Sequence, residues 1–406
     1  MTNLSTLTYR APIVDALRGI ALFGILAVNI QSAVWSLGGP TLGQLGETST
    51  LLDCVTVLFT SFFLEFKFYP IFCFCFGYGF AVQAHKWRVR GDNSKAAKAL
   101  FTRRLTFMLI LGIFHGVLLW FGEILTRYAI TGFILRHYLG RGPRAAIKAM
   151  RFWVITTVMA TLVLGVLVTS GELTGVELTD MNATAITEIA AVKTIYTTGS
   201  YVEVTRQRAT DFVSITTSFA FLIPQVMLLF LIGAISAQMG WLKVSQRYPE
   251  KHRPLLMRIF IVSLLVGLPI NIAFTIKGWS MANAFSVGTT WWDIAISTLV
   301  PIFAFAYISG LALIATSPPG KTLIVLFAPA GKVALTNYVF QSLAMTFLLY
   351  GYGLGWGARL QQGELFILAI VIYAFQLVAS HYYLRLYRQG PLEWLWRRYT
   401  NPPENK

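Results

Sequence analysis

The sequence predicts an all-α polytopic membrane bundle of about ten spans, with both termini on the cytoplasmic side. Three observations predict it. Of 406 residues, 56% are hydrophobic and only 12% are charged, about half the roughly 25% charged share of a soluble domain. The apolar runs are long, and a chain in lipid must satisfy its own backbone, so without the alternation of a barrel these runs are helices. Basic residues recur on every second loop: Lys86–Arg104, Arg136–Arg151, Lys243–Arg258, Lys321–Lys332 and Arg385 onward. Basic loops stay in the cytoplasm, so the alternation requires an even number of spans.

The first span runs from Ile13 to Trp35 and enters from the cytoplasm behind Arg10 and Arg18. Asp15 and Arg18 interrupt its start and no small-residue cleavage pattern follows, so it reads as a retained helix, not a signal peptide. Ser36–Thr50 is Gly-rich and free of Lys and Arg, which makes it an external loop. Residues 51–85 exceed the roughly 20 residues a straight span needs. They contain Glu65, Lys67 and Pro70, which predicts a kinked or broken helix. Spans at 105–121 and 124–139 form a tight hairpin around Gly122 and Glu123, and a fifth covers 152–170. Residues 171–210 carry Glu172, Glu177, Asp180, Glu188 and Glu203, an external acidic segment long enough for an amphipathic helix or a lid. The remaining spans fall at 212–238, 259–276, 293–316, 333–350 and 365–386. The whole chain, residues 1–406, is one membrane domain without visible repeats.

The net charge of +16 follows from cytoplasmic loops that face anionic lipid headgroups, which leaves no need for nucleic acid as a partner. Three cysteines, Cys54, Cys73 and Cys75, make neither a disulfide framework nor a metal set and read as small buried hydrophobes. Phosphate-loop, dinucleotide, zinc-protease and nucleophile-elbow motifs are absent from the sequence. The glycines of FGYGF (76–80) read as close-packing positions between helices.

Chemistry must therefore come from polar residues at membrane depth, which are functional candidates by default. Asp15 and Arg18 share one helix face at the cytoplasmic mouth, either as an ion pair or as an anion site. Asn29, Asp53, His115 and Glu123 fall at similar depth near the outer face, with Gln31 on the same span as Asn29 and Arg127 one turn beyond Glu123. A carboxylate beside an imidazole orients it as a general base, so His115, Glu123 and Asp53 are catalytic candidates; the alternative is an interhelical hydrogen-bond cluster. Glu65 and Lys67 lie nearer the midplane and, two residues apart on a helix, point away from each other. Asn337 and Gln341 share a face and either line an inner cavity with Asn29, Glu65 and Lys67 or join helices. Gln376 and His381 are less informative.

The string RAPIVDALRGIALFGILAVNI (10–30) resembles the opening of the YeiB-like family of bacterial membrane proteins. FFLEFKFYPIFCFCFGYG (62–79), RRLTFMLILGIFHGVLLWFGEILTRYAITG (103–132), GKVALTNYVFQS (331–342) and GPLEWLWRRYT (390–400) agree with it in order. That family is distantly similar to transmembrane acyltransferases of the heparan-glucosaminide N-acetyltransferase type, through Val14, Asp15, Arg18, Gly19 and the second-span Asp53. The resemblance implies a bacterial inner-membrane protein that takes an acyl group from cytosolic acyl-CoA, a co-substrate and not a tightly bound cofactor. The acceptor would be a small molecule or glycan at or beyond the outer face. Asp15, Arg18, Arg103 and Arg104 would then serve the CoA phosphates. The acetyltransferase type carries its working histidine after the first span; Ile30–Thr50 has none, so His115 would replace it from the third. Two rival functions are a transporter, with Glu65, Lys67 and Asn337 along its pathway, and a membrane scaffold without turnover. A cavity running from Arg18 toward His115 is what an enzyme requires.

Overall fold

The computed structural model describes residues 11–33, 49–89, 94–138, 141–173, 190–242, 249–280, 295–296 and 298–400. Among these the chain is helical throughout, with no strand. The first half comprises α1 (Pro12–Ser32), α2 (Leu51–Phe59), α3 (Phe68–Val89), α4 (Ser94–Leu118), α5 (Leu125–Leu135) and α6 (Pro143–Leu173). Residues 190–198 are also helical. The second half comprises α7 (Tyr201–Ser218), α8 (Ile223–Met239), α9 (Pro249–Ser280), α10 (Ala304–Ile314), α11 (Pro318–Lys332), α12 (Ala334–Leu349), α13 (Gln362–Leu386) and α14 (Pro391–Thr400). The Ser36–Thr50 loop up to residue 48 and residues 174–189 of the acidic segment lie outside the described residues.

The predicted apolar spans fall mainly on helix where they are described, apart from the interruption at residues 65–67 and span ends such as residues 119–121. Among the described residues, six helices are long and apolar enough to cross a bilayer, or seven if the bent pair Val300–Ile314 and Pro318–Lys332 is one span. This is a multi-pass membrane protein. The remaining predicted spans are shorter, with 11 residues in α5 and 16 in α12, or broken, as in residues 51–89. Length and composition alone therefore do not supply ten crossings.

Two helix pairs make the most extensive contacts, α3 with α8 and α1 with α11. Both depend on glycine. A methyl group on Gly77 would overlap the Phe230 carbonyl, and one on Gly233 would overlap the Phe74 carbonyl, so the two backbones touch reciprocally. The close-packing role expected for the FGYGF glycines is the role Gly77 plays. On the other pair, Gly19 faces the Phe327 carbonyl and Gly331 faces the Asp15 carbonyl. In lipid, where apolar burial drives little association, such backbone contact is the main source of helix affinity.

The basic stretch Lys321–Lys332, expected as a loop, is instead the body of α11. Ser317 ends α10 and caps α11, accepting from the Gly320 N–H at 3.4 Å, and Pro318 begins the new helix with the fixed φ suited to a first turn. The chain turns by 117° there and lays α11 along α1. Its Pro and Gly residues suggest a loop when read alone, but Gly331 is small because α1 lies against it.

The predicted break in the second span is present. α2 passes into a π-helical turn, Thr60–Leu64, and regular helix resumes only at Phe68. Phe66 takes a left-handed conformation, φ 58°, which costs a bulky residue about 1–3 kcal/mol. Lys67 is fully buried and donates to the Ser61 carbonyl at 2.5 Å, supplying the bond that the interrupted helix no longer makes.

Asp53 and Glu123 are both committed to helix starts. Asp53 accepts from the Thr50 N–H at 2.7 Å and its hydroxyl at 2.6 Å, closing a capping box on α2. Its other oxygen accepts from the Gly363 N–H at 2.7 Å, which fixes α2 to the start of α13. Glu123 accepts from the Leu125 N–H at 2.5 Å and the Thr126 N–H at 3.1 Å at the start of α5.

Gly77→Ala or Gly233→Ala should force the α3–α8 pair apart at a cost of about 1–3 kcal/mol. The thermal midpoint in detergent should fall, whereas Gly142→Ala, with nothing within 4 Å of the added methyl, should leave it unchanged. Asp53→Ala and Glu123→Ala should each cost about 0.5–2 kcal/mol through the lost caps. The same melting curves measure it, and an unchanged midpoint for either variant rules out its capping role.

Candidate functional site

Three of the five basic clusters, with the start of α1, converge on one chamber of about 460 Å³. α1 supplies Asp15 and Arg18, α3 supplies Lys86, α4 supplies Arg104, α11 ends in Lys332, and α14 brings Glu393 and Arg397. Arg18 donates to Asp15 at 3.3 Å and to the Cys75 carbonyl at 3.0 Å, which holds its guanidinium against the chamber wall. Gly79 leaves it that room, since a methyl there would come within 3.2 Å of the Arg18 Nη2. Arg104 feels the like charges of Arg18 and Arg397. It is retained by stacking its guanidinium 3.6 Å from the Trp396 ring centre, a desolvated cation–π contact of about 2 kcal/mol.

The acids around this chamber do not cancel its charge. Asp15 is paired with Arg18. Glu393 accepts from the Leu335 and Thr336 N–H groups at 2.7 and 3.2 Å and from the Thr336 hydroxyl at 2.6 Å, so α14 caps α12 through this carboxylate. The remaining cations give the chamber a positive field, suited to an anion with several phosphate oxygens.

A second chamber, of about 470 Å³, adjoins the first. Ile25, Ile124, Tyr128 and Tyr338 line both and form the partition. Both tyrosines are anchored: Tyr128 donates to the Tyr69 carbonyl at 3.0 Å, and the Tyr338 oxygen accepts from the Ile124 N–H at 3.1 Å. Beyond them lie Asn29, Glu65 and Arg127. A polar strip runs along the same lining, with Tyr69 donating to Gln225 at 2.6 Å and Gln225 donating to the Thr298 carbonyl at 2.7 Å. Each volume is in the range of ordinary small-molecule sites, roughly 300–1,000 Å³.

The sequence-predicted residues separate on this geometry. Asp15, Arg18 and Arg104 line the basic chamber and Asn29 and Glu65 the second. Arg103 lines neither and is exposed, because consecutive helical residues diverge. Lys67 is turned to the Ser61 carbonyl and the Phe274 ring. Asn337 and Gln341 also line neither chamber. Asn337 donates to the Ala330 carbonyl and Ser380, Gln341 donates to Gln376 and the Leu22 carbonyl, and Gln376 donates to the Asn337 carbonyl. They are the interhelical joint of α1, α11, α12 and α13. His381 is exposed beside Arg385.

The three catalytic candidates share no hydrogen bond among the described residues. Asp53 and Glu123 serve as caps, as above. His115 is 2% exposed, and both ring nitrogens are buried without a hydrogen-bond partner. Its ring lies 5.1 Å from that of Tyr338, so it stands behind the partition instead of on either lining.

Sequence reading passed over three features. Tyr128 and Tyr338 sit in apolar spans, where an aromatic residue reads as core. Lys86, Lys332 and Arg397 were visible only as topology markers. Arg208 is fully buried, with Nε, Nη1 and Nη2 lacking hydrogen-bond partners, inside a ring of Tyr201, Tyr350 and Tyr352 at 5.8, 5.6 and 5.9 Å. It lies beside His115, whose electrostatic neighbour it is. The only sequence signal was a lone basic residue near an acidic segment.

Residues 237–402 match a family described as "Protein of unknown function (DUF418)". The chain is 29% identical to the Bacillus subtilis (strain 168) protein YxaH over 96% of its length and 94% of that protein. It is 28% identical to YeiB of Escherichia coli (strain K12), over 95% of both chains. A 39.9 kDa protein encoded in the amylase 3′ region of Bacillus acidopullulyticus is 27% identical, over 95% of this chain and 92% of that one. These likenesses run over nearly the whole chain, which is therefore similar throughout its length to the YxaH and YeiB proteins.

Proposed function

We propose that the protein is an acyltransferase of the bacterial inner membrane, drawing on cytosolic acyl-CoA. The single observation that carries this reading is the pair of adjoining chambers, one strongly cationic and one mixed, separated by two tyrosines and two isoleucines. The phosphates of the donor would sit among Arg18, Lys86, Arg104, Lys332 and Arg397. The thiol arm would reach the Tyr128–Tyr338 partition, and the acceptor would occupy the second chamber.

Among the described residues Glu65 is the one carboxylate on the lining of that second chamber, which makes it the candidate base in preference to His115. The acceptor N–H or O–H loses its proton to Glu65 as its lone pair attacks the thioester carbonyl carbon. The carbon–sulfur bond then breaks, and the thiolate takes a proton back from Glu65 and leaves as the free thiol. Asn29 is placed to donate to the carbonyl oxygen as charge develops there. His115 supports the Tyr338 ring and acts on the reaction only through that wall.

A second reading, a transporter, is favoured by one observation: the same two chambers in series resemble the halves of an alternating-access path. A scaffold without turnover has no use for either chamber.

Purified protein should bind acyl-CoA, and Arg18→Ala and Arg104→Ala should each weaken binding by about tenfold, with less salt dependence than the parent. Glu65→Gln should leave that affinity unchanged and lower transfer or donor hydrolysis by about 100-fold. His115→Ala should keep turnover within about tenfold of the parent. Absence of acyl-CoA binding removes the donor reading, and solute flux in proteoliposomes without any acyl donor favours the transporter.

A further inference from the structure

The second chamber contains a cation two of whose donors have no hydrogen-bond partner among the described residues. Arg127 lies on its lining, with Nε and Nη2 buried and without a hydrogen-bond partner. Its guanidinium carbon is 5.5 Å from the Phe219 ring centre. Glu123 attracts it electrostatically, but the Glu123 oxygens already accept from the Leu125 and Thr126 N–H groups. A guanidinium out of water with donors unfilled costs several kcal/mol, and inside a membrane such a group marks a partner to be bound. Glu65 lies on the same lining. Lys67, two residues on, donates to the Ser61 carbonyl and acts on Glu65 by charge alone, so among the described residues no hydrogen bond takes the Glu65 carboxylate from the chamber.

The chamber's border faces lipid. Ala160, Thr161 and Leu164 of α6 form one side, and the spanning part of that helix is only 11% buried. Its outward residues are apolar and exposed, including Ile155 at 63% and Val166 at 67%. Phe66 at the helix break and Leu222 after α7, 37% and 41% exposed, complete the rim.

We propose that the second chamber takes the headgroup of an amine-bearing glycerophospholipid directly from the bilayer. Its phosphate binds the Arg127 guanidinium, its ammonium pairs with Glu65, and its acyl chains stay outside along α6, Phe66 and Leu222. A phosphate offers paired oxygens to the two open donors of Arg127. A headgroup that ends in glycerol brings Glu65 no cation beyond Lys67, and a free phosphate leaves the apolar rim uncovered. The binding stands by itself. That the headgroup amine is the acyl acceptor is a consequence that rests on the acyl-transfer reading.

The test is native mass spectrometry of the full chain in detergent with an equimolar mixture of phosphatidylethanolamine and phosphatidylglycerol of identical chains, without acyl donor. The parent should retain the ethanolamine lipid over the glycerol lipid by about tenfold, the scale of one added charge-assisted contact. Glu65→Gln should bring the two to parity while phospholipid stays bound. Arg127→Gln should lose most of both. Leu164→Trp fills the rim from the lipid-exposed helix, touches neither charged residue, and should exclude both lipids with an unchanged thermal midpoint. Equal retention of the two lipids by the parent overturns the proposal, as does full retention in Arg127→Gln and Leu164→Trp. Lipid retention without acyl transfer would leave this site standing and remove only the transferase.

Discussion

The backbone contact between α1 and α11 is the constraint on which the rest of the molecule depends. Gly19 and Gly331 let the two helices meet carbonyl against Cα, so the ends that carry Asp15, Arg18 and Lys332 are brought to one place. A side chain at either glycine would separate the helices by the width of a methyl group or more and open the basic chamber on that side. The polar joint reinforces the contact from behind, as Gln341 reaches the Leu22 carbonyl of α1 and Asn337 reaches the Ala330 carbonyl of α11. Such bonds contribute modestly each, about 0.6 kcal/mol on average in membrane proteins. Their value lies in geometry: Gln341 ties α12 to α1 and α13, and Asn337 ties it to α11 and α13, so together they hold the four helices in one register.

The helix break at residues 65–67 plays the corresponding part for the second chamber. A straight helix from Leu51 to Val89 would bury the Glu65 backbone in its own ladder and fill the space that the chamber occupies. The π turn and the left-handed Phe66 interrupt that ladder. Irregular backbone at membrane depth is tolerated only where protein groups satisfy it or it borders a cavity. Both conditions hold here, since Lys67 satisfies the Ser61 carbonyl and Glu65 borders the chamber. The charge of Lys67, which reads as a functional residue in the sequence, is used to hold the break open.

Much of the fold was legible because hydropathy and basic-loop alternation are properties of segments, and segments are contiguous in the chain. The break was legible for the same reason: Glu65, Lys67 and Pro70 stand together in one apolar run. α11 was not, because Pro318, Pro329 and Gly331 look like loop punctuation until α1 is placed against them. The site was legible in halves. Arg18 and Arg104 could be assigned to the basic side, and Asn29 and Glu65 to a cavity lining, Asn29 toward the outer face and Glu65 nearer the midplane. Which of two carboxylates is free and which caps a helix is decided by a partner such as Gly363, 310 residues from Asp53, and depth along a span cannot reveal it. The grouping of His115, Asp53 and Glu123 by depth therefore reached three residues that share a level without sharing a site.

The basic clusters show how a topology signal becomes a cationic chamber. Loop cations that only face headgroups are spread and hydrated, and they repel one another little. Here α14 folds back and places Arg397 and Trp396 over Arg104, within the field of Arg18. Concentrating like charges opposes folding, and α14 is held against that repulsion by two local contacts, Glu393 on the start of α12 and Trp396 on Arg104. Trp396 also donates to the Arg104 carbonyl at 2.9 Å, so the same residue holds both the backbone and the charge of Arg104. A polyphosphate in this chamber would lower that repulsion, and its binding and the seating of α14 would be coupled in sign, because each would lower the electrostatic cost of the other.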